Sequence, residues 1–378
     1  MNIIDRYLLR QFIQTYLICW FSLLGLYVVF DAFTNLEEFI RCGEKSGGIL
    51  ALLGSFYGYQ SIAFFDRTSA LLALVAAMFT VSWLQRHNEM TALLAAGIPR
   101  VRIVRPILAA AVAISLIAAV NREVFIPRFS RELGRQPQDL IGDVGHELQP
   151  QYDNRTDLAI HGKATFADRQ RIEEPVFVLP RGLQHYAKQI VAREARYCEP
   201  AGDRPGGYLL DGVQEPKDMA ARPTLPFGDR PFVITPRDAP DWLMPNQCFV
   251  VSDMTFDQLT GGRTFLQFAS TSQLIDGLHN PSIDFGAGIR VQVHSRIVQP
   301  ILDISLFFLG LPLVVTRQSR NVFIAIGLCL AVVTAFMLVV IGMQYLGSIY
   351  LISPALAAWL PVMIFVPAAV GMAQGMWE

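Results

Sequence analysis

The chain has 378 residues, 52% of them hydrophobic and only 17% charged, with a net charge of −1 and a mean hydropathy of +0.37. That balance is too apolar for an ordinary soluble protein. With no Lys/Arg-rich run and no interleaved aromatic stripe, it also excludes a nucleic-acid partner.

Charges are sparse over residues 12–30, 69–84, 107–120, 297–315 and 322–377, whereas most Arg, Asp and Glu fall in 122–296. The apolar surplus therefore lies at the two ends. The N-terminus carries Asp5, Arg6 and Arg10 before a long apolar run without a small-residue cleavage site. This predicts a retained span over 11–31 rather than a cleaved signal peptide. The next apolar stretch, 49–84, would reach about 54 Å as a helix, against roughly 30 Å of hydrocarbon. Asp66-Arg67 interrupts it, yet Phe64 to Ser69 offers no Gly or Pro to turn a hairpin. The expectation is an amphipathic helix outside the core leading into a span over 65–84. Further spans are expected over 104–124, 297–316, 322–346 and 354–376. Six spans put both termini on one side.

Short-loop cations set the orientation. Arg6 and Arg10, then Arg86, Arg100, Arg102 and Arg105, then Arg317 and Arg320 all fall on one side of a six-span layout. That side is read as cytoplasmic. The opposite ends carry Asp31, Glu37, Glu38 and Glu44, and a nearly uncharged 347–353, so the middle of the chain is read as extracytoplasmic. There the text changes to short β-type runs, 176–179, 190–192, 208–210, 232–234 and 248–251, between turn clusters at 200–207 and 260–262. These suggest an antiparallel sandwich, roll or barrel, with no competing helix-length pattern. Cys198 and Cys248 lie in this part and can pair if it faces an oxidising space; two unpaired thiols are the alternative. The organisation expected is 1–125 for three spans, 126–294 for a β domain and 295–378 for three more spans.

No G-x-x-x-x-G-K-[ST] phosphate loop occurs, and no HExxH, GxSxG or DxDxDG motif. The six histidines lack metal-ligand spacing. Neither a catalytic centre, a metal nor a cofactor is expected. Ionisable groups in apolar helices do ask for a reason. Asp31, Asp66 and Arg67 stand at expected span ends, where water is near, whereas Asp303 lies about two turns inside its span. Arg296, seven residues earlier on the same face, is a candidate to neutralise it. Gln344 is the polar group near the end of the fifth span.

The most informative loop runs from Gln85 to Arg100. Asn88 to Ala96 favours a helix, and Gly97-Ile98-Pro99 stops it. Such a helix is either an elbow on anionic lipid or a docking element for a cytoplasmic partner.

At this loop the sequence resembles the LptF/LptG family of lipopolysaccharide-export permeases, with Glu89 and Gly97 at the family's Glu and Gly positions. The likeness continues through Ile190-Val191-Ala192-Arg193-Glu194-Ala195 and Tyr208-Leu209-Leu210-Asp211-Gly212-Val213. It is clearest at His294-Ser295-Arg296-Ile297-Val298-Gln299-Pro300, at Gln344-Tyr345-Leu346-Gly347 and over 354–361. The resemblance implies an integral membrane α-helical fold of six transmembrane helices, three plus three, around an inserted periplasmic β-jellyroll-like domain. It implies a permease subunit of an ABC exporter in the inner membrane. The subunit would extract lipopolysaccharide or a related glycolipid and pass it to a periplasmic β-jellyroll bridge. Implied partners are a cytoplasmic LptB-like ATPase dimer, a second LptF/LptG-type subunit (the same chain or a paralogue) and an LptC/LptA-like jellyroll protein. ATP hydrolysis then belongs to a partner, with Arg86, Glu89 and Gly97 in the coupling helix.

After the first span this sequence departs toward acid. Asp31, Glu37 and Glu38 make a rim that repels a phosphorylated lipid unless metal ions bridge the two, and Arg41, Lys45 and Arg67 offset it in part. Two other functions compete: a membrane-anchored receptor or scaffold with a ligand-binding β domain, and an ion-coupled secondary transporter using Asp303 and Asp66. The latter would want paired broken helices in both halves, and no internal repeat supplies them.

Overall fold

The computed structural model describes residues 3–43, 48–135, 137, 145–166, 170–201, 204–228, 230–260, 266–282, 286–315 and 322–377. Arg317, Arg320, Glu44 and Lys45 lie outside the described residues, as does part of each of the two turn clusters. The chain divides into a helical unit, Met1–Leu133 with Gly286–Glu378, and a second unit, Gly134–Phe285. The helices of seven or more residues among the described residues are, in chain order, α1 (Ile3–Thr34), α2 (Leu36–Gly43), α3 (Ile49–Arg86), α4 (Glu89–Ala95), α5 (Arg100–Val120), α6 (Thr271–His279), α7 (Gly286–Val315), α8 (Val322–Ser348) and α9 (Pro354–Trp377). Among the described residues, six helices are long and apolar enough to cross a membrane: α1, α3, α5 with its continuation to Arg128, α7, α8 and α9.

One expectation fails. The approach helix and the span predicted within 49–84 are a single uninterrupted helix, α3, of 38 residues. Two features explain it. Gly54 and Gly58 are tolerated inside a helix at a modest cost, and Asp66, read as an interruption, has a cation to pair with (below). The first helical block runs through a π-helical segment, Asn121–Phe125, to Leu133. The second block starts at Gly286.

The helical unit has one core. Leu8 and Phe12 of α1, Leu74 and Leu84 of α3, Ile103 and Ile107 of α5 and Leu302 and Leu311 of α7 are buried in it. In hydrocarbon, association rests on close packing, so small residues mark the tight crossings. Ala73, Ala76 and Ala77 line the inner face of α3. Gly310 of α7 leaves room for Leu74 of α3, and Gly347 of α8 lies against Ala357 of α9 and Val291 of α7. A methyl group at Gly347 would overlap the rigid Ala357 methyl and come within 2.8 Å of Val291 Cγ2. Gly347→Ala is expected to lower stability by about 1–3 kcal/mol, read as a reduced melting temperature in detergent.

The second unit holds an antiparallel sheet of nine strands among the described residues, ordered β1-β2-β3-β5-β6-β9-β8-β7, with β4 pairing both β2 and β5. The strands are β1 (His146–Asp153), β2 (Leu158–Phe166), β3 (Arg171–Glu173), β4 (Val176–Val178), β5 (Gln189–Cys198), β6 (Gly207–Glu215), β7 (Leu225–Phe227), β8 (Arg230–Ile234) and β9 (Gln247–Val251). β3 and β4 are two halves of one bent strand. Glu174 takes a left-handed φ of 47° and Pro175 follows, so the ladder breaks there and resumes. Ile160, Ile172, Phe177, Ile190, Tyr208, Leu210, Phe232 and Val250 fill the core. Asp153 is fully buried and satisfied: Ser252 Oγ donates to it at 2.9 Å and the Arg155 amide at 3.0 Å. α6 is a helix where none was expected. Its start is a capping box in which Ser270 and Gln273 each accept a backbone N–H of the other.

Cys198 and Cys248 are both free. Cys198 pairs across with Gly207 and Cys248 with Leu210, on opposite sides of β6. Two strand spacings and three residues separate them by roughly 14 Å, twice the reach of a disulfide. Burial pushes the Cys248 thiol up to about 12. In the folded domain at neutral pH a maleimide is therefore expected to modify Cys198 and spare Cys248, and denaturation to expose both, checked by intact-mass measurement.

Candidate functional site

The predicted residues fall into separate groups. The first surrounds α4. Asn88, with a left-handed φ of 60°, and Gly97, with φ 80°, bound the helix, and Gly97 is the glycine that a left-handed turn after a helix favours. Met90 is buried, and Leu93, Leu94 and Ile98 pack on the helical core. The other face, Thr91, Ala92, Ala95 and Ala96, is small and exposed, as is the neighbouring Arg86. Glu89 is half-buried and accepts a hydrogen bond from Tyr7 Oη of α1 at 2.9 Å. Just before it, Gln85 Nε2 donates to the Val314 carbonyl of α7 at 2.9 Å.

The second group lies where the C-terminal part of α1 meets α2 and the first half of α3. Tyr57 Oη donates to Asp31 Oδ2 at 2.8 Å, so Asp31 is held inward within a cluster of Tyr27, Phe39, Phe56 and Tyr57. α2 buries Phe39 and Cys42 while leaving Glu37 and Arg41 exposed and Glu38 half-buried. Among the described residues, no ion pair joins Arg41 to either glutamate. Of the three acids, Glu37 is exposed, Glu38 is half-buried and Asp31 is bonded to Tyr57.

Asp66 and Arg67, adjacent in sequence, part company. Arg67 is exposed, whereas Asp66 receives Arg122: Nε donates to Oδ1 and Oδ2 at 3.0 and 3.1 Å, and Nη2 lies 3.0 Å from Oδ1. Both side chains are largely buried, 19% and 15% exposed. The π-helical turn at Asn121–Phe125 carries this contact. Pro127 has no N–H for the helix and crowds the carbonyl four residues back, which favours the wider turn. Beside Arg122, Asn121 Nδ2 donates to the Ile62 carbonyl at 3.0 Å. Arg122 looks in sequence like the first charge of the middle domain; the proline five residues on was the available signal that it belongs to the helix.

Asp303 has partners other than the one expected. Gln299 Nε2, one turn earlier, donates to Oδ1 at 2.8 Å, and Ser115 Oγ of α5 to Oδ2 at 3.3 Å. No ion pair links it to Arg296 among the described residues. A small pocket walled by Ala70, Ala73, Leu108, Ala111 and Phe307 opens beside it. Gln344 is half-buried on α8 and is not among the groups bonded to Asp303. The described residues contain no group of His, Cys, Asp or Glu arranged to hold a metal ion.

Six long apolar helices, three before and three after an antiparallel β unit, define a multi-pass membrane protein with a large polar insertion. The model of the lipopolysaccharide export system permease LptF/LptG family matches residues 6–200 and 221–374. The chain belongs to that family, so it is a permease subunit of lipopolysaccharide export in the inner membrane, not a catalytic enzyme. No individual curated protein matches it.

The Asp66–Arg122 pair yields a direct test. Removing one partner leaves a buried charge unpaired, which costs about 3–5 kcal/mol, whereas removing both charges costs much less. Arg122→Ala is expected to lower the melting temperature strongly, and Asp66→Asn combined with Arg122→Gln to recover most of it.

Proposed function

We propose that this chain is one of two membrane-spanning halves of an ABC-type exporter that extracts lipopolysaccharide or a related glycolipid from the inner membrane. A second LptF/LptG-type subunit, the same chain or a paralogue, completes the cavity. The lipid passes to a periplasmic β-jellyroll bridge that continues into an LptC/LptA-like protein. α4 and both termini face the cytoplasm, and the β unit faces the periplasm, in keeping with the short-loop cations. Glu37, Glu38, Arg41 and Arg67 stand at the lipid entry, with Asp31 and Asp66 behind them. An acidic rim at this entry repels lipid phosphates unless metal ions bridge the two.

The observation that carries this reading is α4. It is a short helix between two spans, pinned by left-handed residues at both ends, with its apolar side packed and a small-residue side open. An open face of Thr91, Ala92, Ala95 and Ala96 suits insertion into a groove, and Arg86 and Glu89 beside it supply polar contacts. An LptB-like ATPase dimer engages this helix and supplies the ATP hydrolysis that the chain, without a phosphate loop, does not. A lipid-surface elbow would instead present large apolar residues outward.

The test is co-purification. The chain should bring down a cytoplasmic ATPase, and Glu89→Ala should abolish the association or the stimulation of ATP turnover by lipid. A Glu89→Ala complex of full activity would remove this account of α4. Mass spectrometry of the intact complex identifies the bound lipid.

A further inference from the structure

We infer that Tyr7 is a positioning residue for Glu89, and that through this contact α1 registers what happens at α4. The inference rests on the reading of α4 as the site of ATPase engagement.

Tyr7 and Glu89 are 82 residues apart in sequence, and their hydrogen bond joins the second turn of α1 to the first residue of α4 at 2.9 Å. The chemistry of the donor matters. A Lys or Arg here would neutralise the carboxylate, whereas a phenol hydroxyl fixes its direction and leaves the charge in place. Tyr7 occupies Oε2, so Oε1 and the negative charge are presented to an incoming cation. The pair is accessible as this role requires: Tyr7 is 44% exposed and Glu89 half-buried.

The mechanical setting points the same way. The buried residues of α1 are Leu8, Phe12 and Tyr16, all in its first half. Leu8 and Phe12 share a core with Met90, Leu93 and Leu94 of the α4 region. Farther along, Ile18, Phe21, Leu26 and Phe30 are 69, 62, 53 and 68% exposed. Helix α1 is therefore most deeply buried beside α4, and its next contacts along the chain include Trp20 and Leu23 against the core and Asp31 with Tyr57. On the other side, the Gln85 bond to the Val314 carbonyl ties the start of this segment to α7. A displacement of α4 thus pulls on α1 through Tyr7 and on α7 through Gln85, one helix from each half of the helical unit. Tyr7 is the only one of these contacts that involves Glu89 itself among the described residues.

The experiment uses the complete complex with its ATPase in lipid nanodiscs, in the wild type, Tyr7→Phe, Glu89→Gln and the double variant. The readout is lipid released per ATP hydrolysed, with the melting temperature recorded alongside. Tyr7→Phe removes one oxygen at a partly exposed position and should melt with the wild type. It should release about tenfold less lipid per ATP, the size expected for one hydrogen bond to a charged group. The double variant should be no worse than Glu89→Gln alone, because Tyr7 acts by directing the charge that Glu89→Gln already removes. Wild-type coupling in Tyr7→Phe with impaired coupling in Glu89→Gln would overturn the role of Tyr7 and leave α4 as the engagement site. Additive losses would overturn it too, since Tyr7 would then act apart from Glu89. Wild-type coupling in both single variants would remove the α4 reading and this inference together.

Discussion

A charge in an apolar helix has to be matched where it stands, and the match between Asp66 and Arg122 is the constraint on which the helical unit depends. It lets α3 run unbroken through a position that would otherwise end it. It also fixes the far end of α5 against α3, because Arg122 reaches its partner only from the widened turn at Asn121–Phe125. Asn121, reaching the Ile62 carbonyl, secures the same junction. The helical core of leucines and alanines is then packed around a polar fastening rather than the reverse. Asp303 follows the same logic with neutral donors, Gln299 and Ser115. Both acids thus have partners within the helical unit.

Residues legible in the sequence were those whose signal is local. Six spans follow from runs of apolar residues, and strands β4, β5, β6, β8 and β9 each contain a run of β-branched or aromatic residues between turns. The family likeness was legible because short motifs recur in order along the whole chain. What was not legible depended on partners far away in the sequence. Nothing near Asp66 reveals that Arg122 will neutralise it, so α3 reads as two pieces. Nothing near Glu89 points to Tyr7. The polar strand β1, HELQPQYD, has no alternation to find and is defined only by pairing with β2. α6 is different, for its Ser270-Thr271-Ser272-Gln273 cap was local and was outweighed by the β character of its surroundings.

The acidic stretch after α1 changes character once its geometry is known. Asp31 turns toward Tyr57 and is part of the packing. Glu37, Glu38 and Arg41 remain on a short amphipathic helix whose Phe39 and Cys42 anchor it to the unit. The surface charges of α2 therefore lie off its packed face, which Phe39 and Cys42 supply.

The exposed apolar stretch of α1 has a consequence for how this protein behaves once extracted from its membrane. None of the most apolar stretch of α1 is fully buried within the chain, although Cys19, Trp20 and Leu23 lean on the helical core and Asp31 bonds to Tyr57. Whatever covers that stretch, acyl chains or another helix, contributes by mass action. Resistance to unfolding then becomes a property of the surrounding lipid and of protein concentration as much as of the sequence.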